Sequence, residues 1–135
     1  MNRFPMTPFL RTVLRADAVL STLTMLALVA DAEPLSAWLG VPAATLRIAG
    51  IALLPWVGYL VWLSRLDVAP PAALWVAVGG NAVWAVECAA MAFGFGLQPD
   101  RTGQALLAVQ SVGGLVLAEL EWVGFRRACA RPGLS

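Results

Sequence analysis

Four long stretches of the chain are nearly continuous in apolar residues, and short polar intervals separate them. They cover 12–30, 42–63, 71–95 and 103–125. Each is near the ~20 residues that an α-helix needs to cross a bilayer. The pattern predicts four membrane spans. The first interval carries a pattern of its own: Glu33-Pro34 opens a short segment and Gly40 closes it. Proline inside the start and glycine past the end mark a helix. Leu35, Trp38 and Leu39 then share one face, which predicts a short interfacial helix with Trp38 at headgroup level. Within the second span, Pro55 removes a backbone donor and predicts a kink between Ile51 and Pro55. Gly50, Leu54 and Gly58 share a face with Arg47, and glycines there admit a close neighbouring helix.

Composition agrees with lipid as the solvent. Hydrophobic residues make up 60% of the 135 positions, charged residues 13%, and the mean hydropathy is +0.78. A soluble domain is roughly 45–50% apolar. The expected fold is therefore all-α, a four-transmembrane-helix bundle forming one membrane domain over 1–135, with no separate soluble domain. The arginine run, apolar stretch and Ala30-Asp31-Ala32 also fit a cleavable signal peptide. Further spans follow, so the expectation is an uncleaved first span. Arginine placement orients the bundle. Arg3, Arg11, Arg15, Arg65, Arg126, Arg127 and Arg131 share one side, while Arg47 and Arg101 lie on the other. That predicts a multi-pass protein of the cell inner membrane with both termini cytoplasmic.

The missing residue types exclude chemistry. All nine basic residues are arginine, and there is no histidine. A lysine Schiff base, bis-histidine haem, a Glu-x-x-His di-iron site and histidine-based zinc are excluded. No cofactor or metal is expected. Cys88 and Cys129 form no C-x-x-C pair, which argues against a thiol oxidoreductase. Cys88 reads as a packing residue and Cys129 as a reduced cytosolic thiol. The net charge of +1 gives no reason to expect nucleic acid.

Ionisable and amide side chains inside the spans are the candidate functional groups. Helical angles place Asp17, Ser21 and Thr24 on one stripe of the first span. Gly80, Asn81, Trp84, Glu87, Cys88 and Met91 share a broad face of the third, and Gln110, Gly113, Gly114, Leu117 and Glu121 a face of the fourth. Glu119 is about 200° from Glu121, so the two diverge. Joined, these stripes predict a polar cavity between the helices, lined by Asp17, Ser21, Thr24, Asn81, Glu87, Gln110 and Glu121, with Trp84, Met91 and Tyr59 as its apolar wall. The ligand or proton site candidates are Glu87, Asn81, Trp84, Asp17, Gln110 and Glu121. Glu87 is expected to point between helices, either as a ligand or proton site or in a structural ion pair with Arg47. Asp17, Glu119 and Glu121 are alternatively expected in a cytoplasmic charge ring with Arg15, Arg126 and Arg127. The other polar groups are alternatively simple interhelical contacts.

Four short stretches carry a resemblance: Arg15-Ala16-Asp17-Ala18, Leu54-Pro55-Trp56, Asn81 to Trp84, and Ala118-Glu119-Leu120 ahead of Gly124-Phe125-Arg126-Arg127. On these the chain resembles small DoxX-like bacterial integral membrane proteins, which implies a four-helix bundle and supplies no catalytic residues. With four helices and a carboxylate in the first, at Asp17, it is also similar to small multidrug-resistance exporters, though it is longer and its aromatic residues follow another pattern. The expected function is non-enzymatic, as an accessory subunit or a binder of a lipid-like or small apolar molecule within the bundle. Expected partners are the lipid bilayer, such a ligand, and a homodimer or larger membrane complex. One alternative is a dimeric proton-coupled small-molecule transporter using Asp17 or Glu87. Another is a membrane enzyme acting on a lipid or isoprenoid, with Glu87 as general acid/base.

Overall fold

The computed structural model describes residues 3–130. The first helix, α1 (Pro8–Ala30), starts ahead of the apolar stretch because its cap lies there. Thr7 Oγ1 accepts from the Leu10 N–H at 3.2 Å, and Pro8 occupies the first turn, where no amide hydrogen is needed. The segment expected to be a short helix forms α2 (Ala32–Leu39), closed by Gly40 at φ 70°.

The second apolar segment divides into α3 (Ala43–Ala52) and α4 (Leu54–Arg65). The division falls where the proline reading placed a kink. Pro55 cannot donate, and the Leu53 N–H turns back to the Gly50 carbonyl at 3.1 Å, tightening the last turn of α3. The third apolar segment forms α5 (Pro71–Ala92), which ends short of the expected 95. Gly94 and Gly96 take φ of 89° and 78°, which stops the helix while the sequence remains apolar. The last, α6 (Arg101–Ala130), starts directly after Asp100, which caps it, with Asp100 Oδ1 accepting from Gly103 N–H at 2.8 Å. It runs past the expected 125, because charge at Arg126 and Arg127 ends an apolar stretch without ending a helix.

The regular structure of the described residues is thus helical apart from two two-residue strands, and among them four segments are long and apolar enough to cross a membrane: Pro8–Ala30, Ala43–Arg65, Pro71–Ala92 and Arg101–Ala130. Successive segments reverse direction. At the proximal end, strand β1 (Phe4–Pro5) pairs antiparallel with β2 (Val68–Ala69), which lies in the α4–α5 connection. Met6 N–H reaches the Asp67 carbonyl at 2.8 Å, and the Arg11 guanidinium reaches the Leu66 carbonyl at 3.1 Å. At the distal end, the Asp100 N–H donates to the Trp38 carbonyl at 2.9 Å, fixing α2 over the start of α6.

Two apolar clusters close the two ends. Leu10, Leu14, Leu60, Leu63 and Leu74 are fully buried in the proximal one. Ala32, Leu39, Leu46, Cys88 and Leu107 form the distal one. The layer between them is where the buried carboxyl and amide groups lie: Asp17, Asn81 and Glu121. Outward faces are the reverse, with Leu20, Leu23, Ile48, Val83, Val86, Val109 and Val112 all at least half exposed. Polar groups inside and large aliphatics outside invert the arrangement water selects.

Candidate functional site

Three helices each contribute one side chain to the polar layer. Asp17 of α1, Asn81 of α5 and Glu121 of α6 are 1%, 5% and 0% exposed. Asn81 sits near the middle of its helix. Asp17 and Glu121 are each nine residues from the proximal ends of theirs, about 13 Å at ~1.5 Å per residue. Asn81 Nδ2 donates to Asp17 Oδ2 at 2.7 Å and lies 3.3 Å from both oxygens of Glu121. Ser21, one turn beyond Asp17, donates its hydroxyl to Asp17 Oδ1 at 3.1 Å. Neither carboxyl takes part in a salt bridge among the described residues, whose two pairs are Arg11–Asp67 and Arg47–Glu33. Leucines of the proximal cluster separate the carboxyl groups from that end of the bundle.

A backbone cleft makes room for this layer. Gly114 of α6 packs where a Cβ would stand 3.0 Å from the Asn81 carbonyl, and Ser111 Oγ donates to the Ala85 carbonyl at 2.8 Å. Glycine thus draws α6 close to α5 on one side of the polar groups. Toward the distal end, Trp84 Nε1 donates to Gln110 Oε1 at 3.2 Å, and Gln110 Nε2 reaches Thr24 Oγ1 at 3.5 Å.

Between these two polar groups lies a cavity of about 410 Å³. Asp17, Ser21, Thr24, Asn81 and Gln110 supply its polar lining. Leu53, Trp56, Trp84 and Leu117 supply much of its apolar wall. Leu20 and Leu23 of α1 and Val109 of α6 also line it and are 50%, 57% and 69% exposed, so its mouth lies on the side of the bundle between α1 and α6. A Cβ at Gly80 would overlap the Trp56 ring, whereas one at Gly79 or Gly113 would meet nothing within 4 Å. Trp56, Gly80 and Trp84 also border a shallower outer groove that holds Trp75, Val76, Gly79, Val83 and Glu87. Trp56 therefore partitions cavity from groove.

The structure brings together Asp17, Asn81 and Glu121, with Ser21 beside them, and places Trp84, Gln110 and Thr24 across the cavity. Several expectations are corrected. Glu87 is exposed in the outer groove and does not face the bundle interior. It lies 100° around α5 from buried Cys88, and the helix ends five residues beyond it, so its carboxylate is within ~8 Å of the helix end. Arg47 does not pair with Glu87; it binds Glu33 of α2 at 3.0 Å, because α2 folds back over the start of α3. The charge ring does not form either. Asp17 and Glu121 turn inward, while Arg15, Glu119, Arg126 and Arg127 are exposed. Tyr59 and Met91 are not in the cavity wall: the Tyr59 hydroxyl donates to the Ala73 carbonyl beside the proximal cluster, and Met91 packs on the distal one. Trp56, to which the sequence analysis gave no part in the cavity wall, lines the cavity. Its available signal was size complementarity with Gly80 one span away, which periodicity within a single helix does not reveal.

No family profile, curated protein or solved structure matches the chain.

Proposed function

We propose that the protein is a multi-pass inner-membrane protein with both termini cytoplasmic, which binds a lipid-like or small apolar molecule in its bundle without chemically transforming it. The observation that carries this reading is the cavity of about 410 Å³ between two apolar clusters, with a buried carboxyl–amide group at its base and a mouth among exposed aliphatic residues. Small-molecule sites are typically 300–1,000 Å³, largely apolar, with a few convergent polar groups. In a bilayer the exposed Leu20, Leu23 and Val109 would face acyl chains, so a molecule dissolved in the membrane could enter sideways without crossing water. The four long apolar segments and the arginine bias support the membrane placement. Native mass spectrometry of protein released from lipid nanodiscs tests the reading. Wild type should retain a small non-protein mass, and Gly113→Leu, which fills the cavity where open space is available, should lose it. An identical spectrum for both, with no retained mass, would refute it.

A second reading, proton-coupled transport, is favoured by one observation. Asp17 and Glu121 answer to the same amide nitrogen and to no arginine among the described residues. A proton held between them would make one carboxyl a donor and leave the other an acceptor. Ligand-dependent proton flux into proteoliposomes, absent in Asp17→Asn, distinguishes transport from binding alone.

A further inference from the structure

We propose that the molecule the cavity takes is an amphipathic amine, whose protonated nitrogen sits on Asp17 and the Asn81 carbonyl while its apolar body lies between Trp56 and Trp84. This rests on the cavity being a binding site and names the chemistry of its ligand. The argument begins with a count of donors. Asp17 and Glu121 present four oxygens with about eight acceptor positions. The described side chains that reach them are Asn81, with two amide hydrogens, Ser21, with one, and the two carboxyl groups themselves, which share a hydrogen bond. Even so, acceptor positions outnumber donors, and neither acid has a basic partner among the described residues.

Asn81 gives a second, independent sign. It is 95% buried, and all three of its side-chain hydrogen bonds leave from Nδ2. The two carboxyl groups fix that orientation, since its oxygen turned toward them would face acceptors only. Its Oδ1 keeps its lone pairs, and Asn81 lines the cavity. A ligand that satisfies this base must bring hydrogens. An alkylammonium brings them together with a positive charge, and a charge-assisted bond to carboxylate is roughly twice as strong as a neutral one.

The walls suit the same class. Trp56 and Trp84 border the cavity, and indole faces attract cations and pack against apolar chains. A carboxylate or phosphate ligand is disfavoured, because no arginine lines the cavity and its one ionisable lining group, Asp17, is an acid. The mouth between α1 and α6 passes an aliphatic or aromatic tail.

Two probes of matched shape test the class: 4-phenylbutylamine and 4-phenylbutanol, titrated against the protein in lipid nanodiscs with empty nanodiscs as the blank. Calorimetry and tryptophan fluorescence report binding. The amine should bind saturably and about tenfold or more tighter than the alcohol, a factor of ten being ~1.4 kcal/mol. Asp17→Asn should bring the amine to the level of the alcohol, and Gly113→Leu should abolish saturable binding of both. If the two probes bind equally and Gly113→Leu removes both, the cavity stands and the amine assignment is overturned. If neither binds saturably, the assignment falls together with the reading it rests on. The wild-type comparison of probes decides the question even where a variant fails to fold.

Discussion

Replacing Asn81 with leucine roughly keeps its volume but removes the one side chain, among the described residues, that donates to both buried carboxyl groups. Two competing magnitudes apply. Ordinary polar contacts between membrane helices contribute ~0.6 kcal/mol each, because the unfolded chain in the membrane also finds partners. Hydrogen bonds to a charged group contribute ~1.5–3 kcal/mol. Asn81 makes a short bond of 2.7 Å to Asp17 and a divided one, 3.3 Å to each oxygen of Glu121. Weighting the first fully and the second at half gives roughly 3 kcal/mol for a charged pair, against about 1 kcal/mol for a neutral pair. The larger figure applies with one of the two carboxyl groups ionised, because that buried charge then loses its closest amide donor. Reversible unfolding in mixed micelles, titrated with sodium dodecyl sulfate, measures the loss. The same substitution in a Glu121→Gln background should cost clearly less, since glutamine brings its own donors, with a coupling of ~1 kcal/mol or more. A loss of 1 kcal/mol or less that adds independently to Glu121→Gln would refute the bridge.

Gly80→Ala should displace the Trp56 ring and cost ~1–3 kcal/mol as overpacking, seen as lower stability and altered tryptophan emission. Gly79→Ala next to it meets open space and should be neutral or stabilising by up to ~1 kcal/mol through helix propensity alone. Arg47→Ala and Glu33→Gln should each change stability by less than ~1 kcal/mol, because the pair they form is exposed, and Glu87→Gln should be equally silent. Thiol labelling of the folded protein should modify exposed Cys129 and spare buried Cys88, with a periplasmic impermeant reagent reaching neither in intact cells.

Hydrophobic patterning located the four long segments, since length and apolarity are properties of one helix at a time. Their ends depended on other chemistry. Thr7 extended α1 backwards, Gly94 and Gly96 shortened α5, and α6 carried its arginines onward in helical form. The polar layer was legible as a set of residue types, because Asp17, Asn81, Gln110 and Glu121 are costly inside a span. Which of them meet was not legible, since that depends on how each helix is rotated against its neighbours. Glu87 shows the consequence. One residue from buried Cys88, it turns outward, and the arginine expected beside it serves α2 instead. Trp56 shows the converse, a side chain placed by the absence of a Cβ on a different helix.

The most direct test of the account is a crystal structure grown from a lipidic mesophase, at a resolution that distinguishes bound lipids. The account predicts Asn81 Nδ2 between the carboxyl groups of Asp17 and Glu121, and elongated non-protein density running from Asn81 past Trp84 to the gap between Leu23 and Val109. Closure of α1 directly against α6, with the cavity filled by protein side chains and the two carboxyl groups apart, would contradict it.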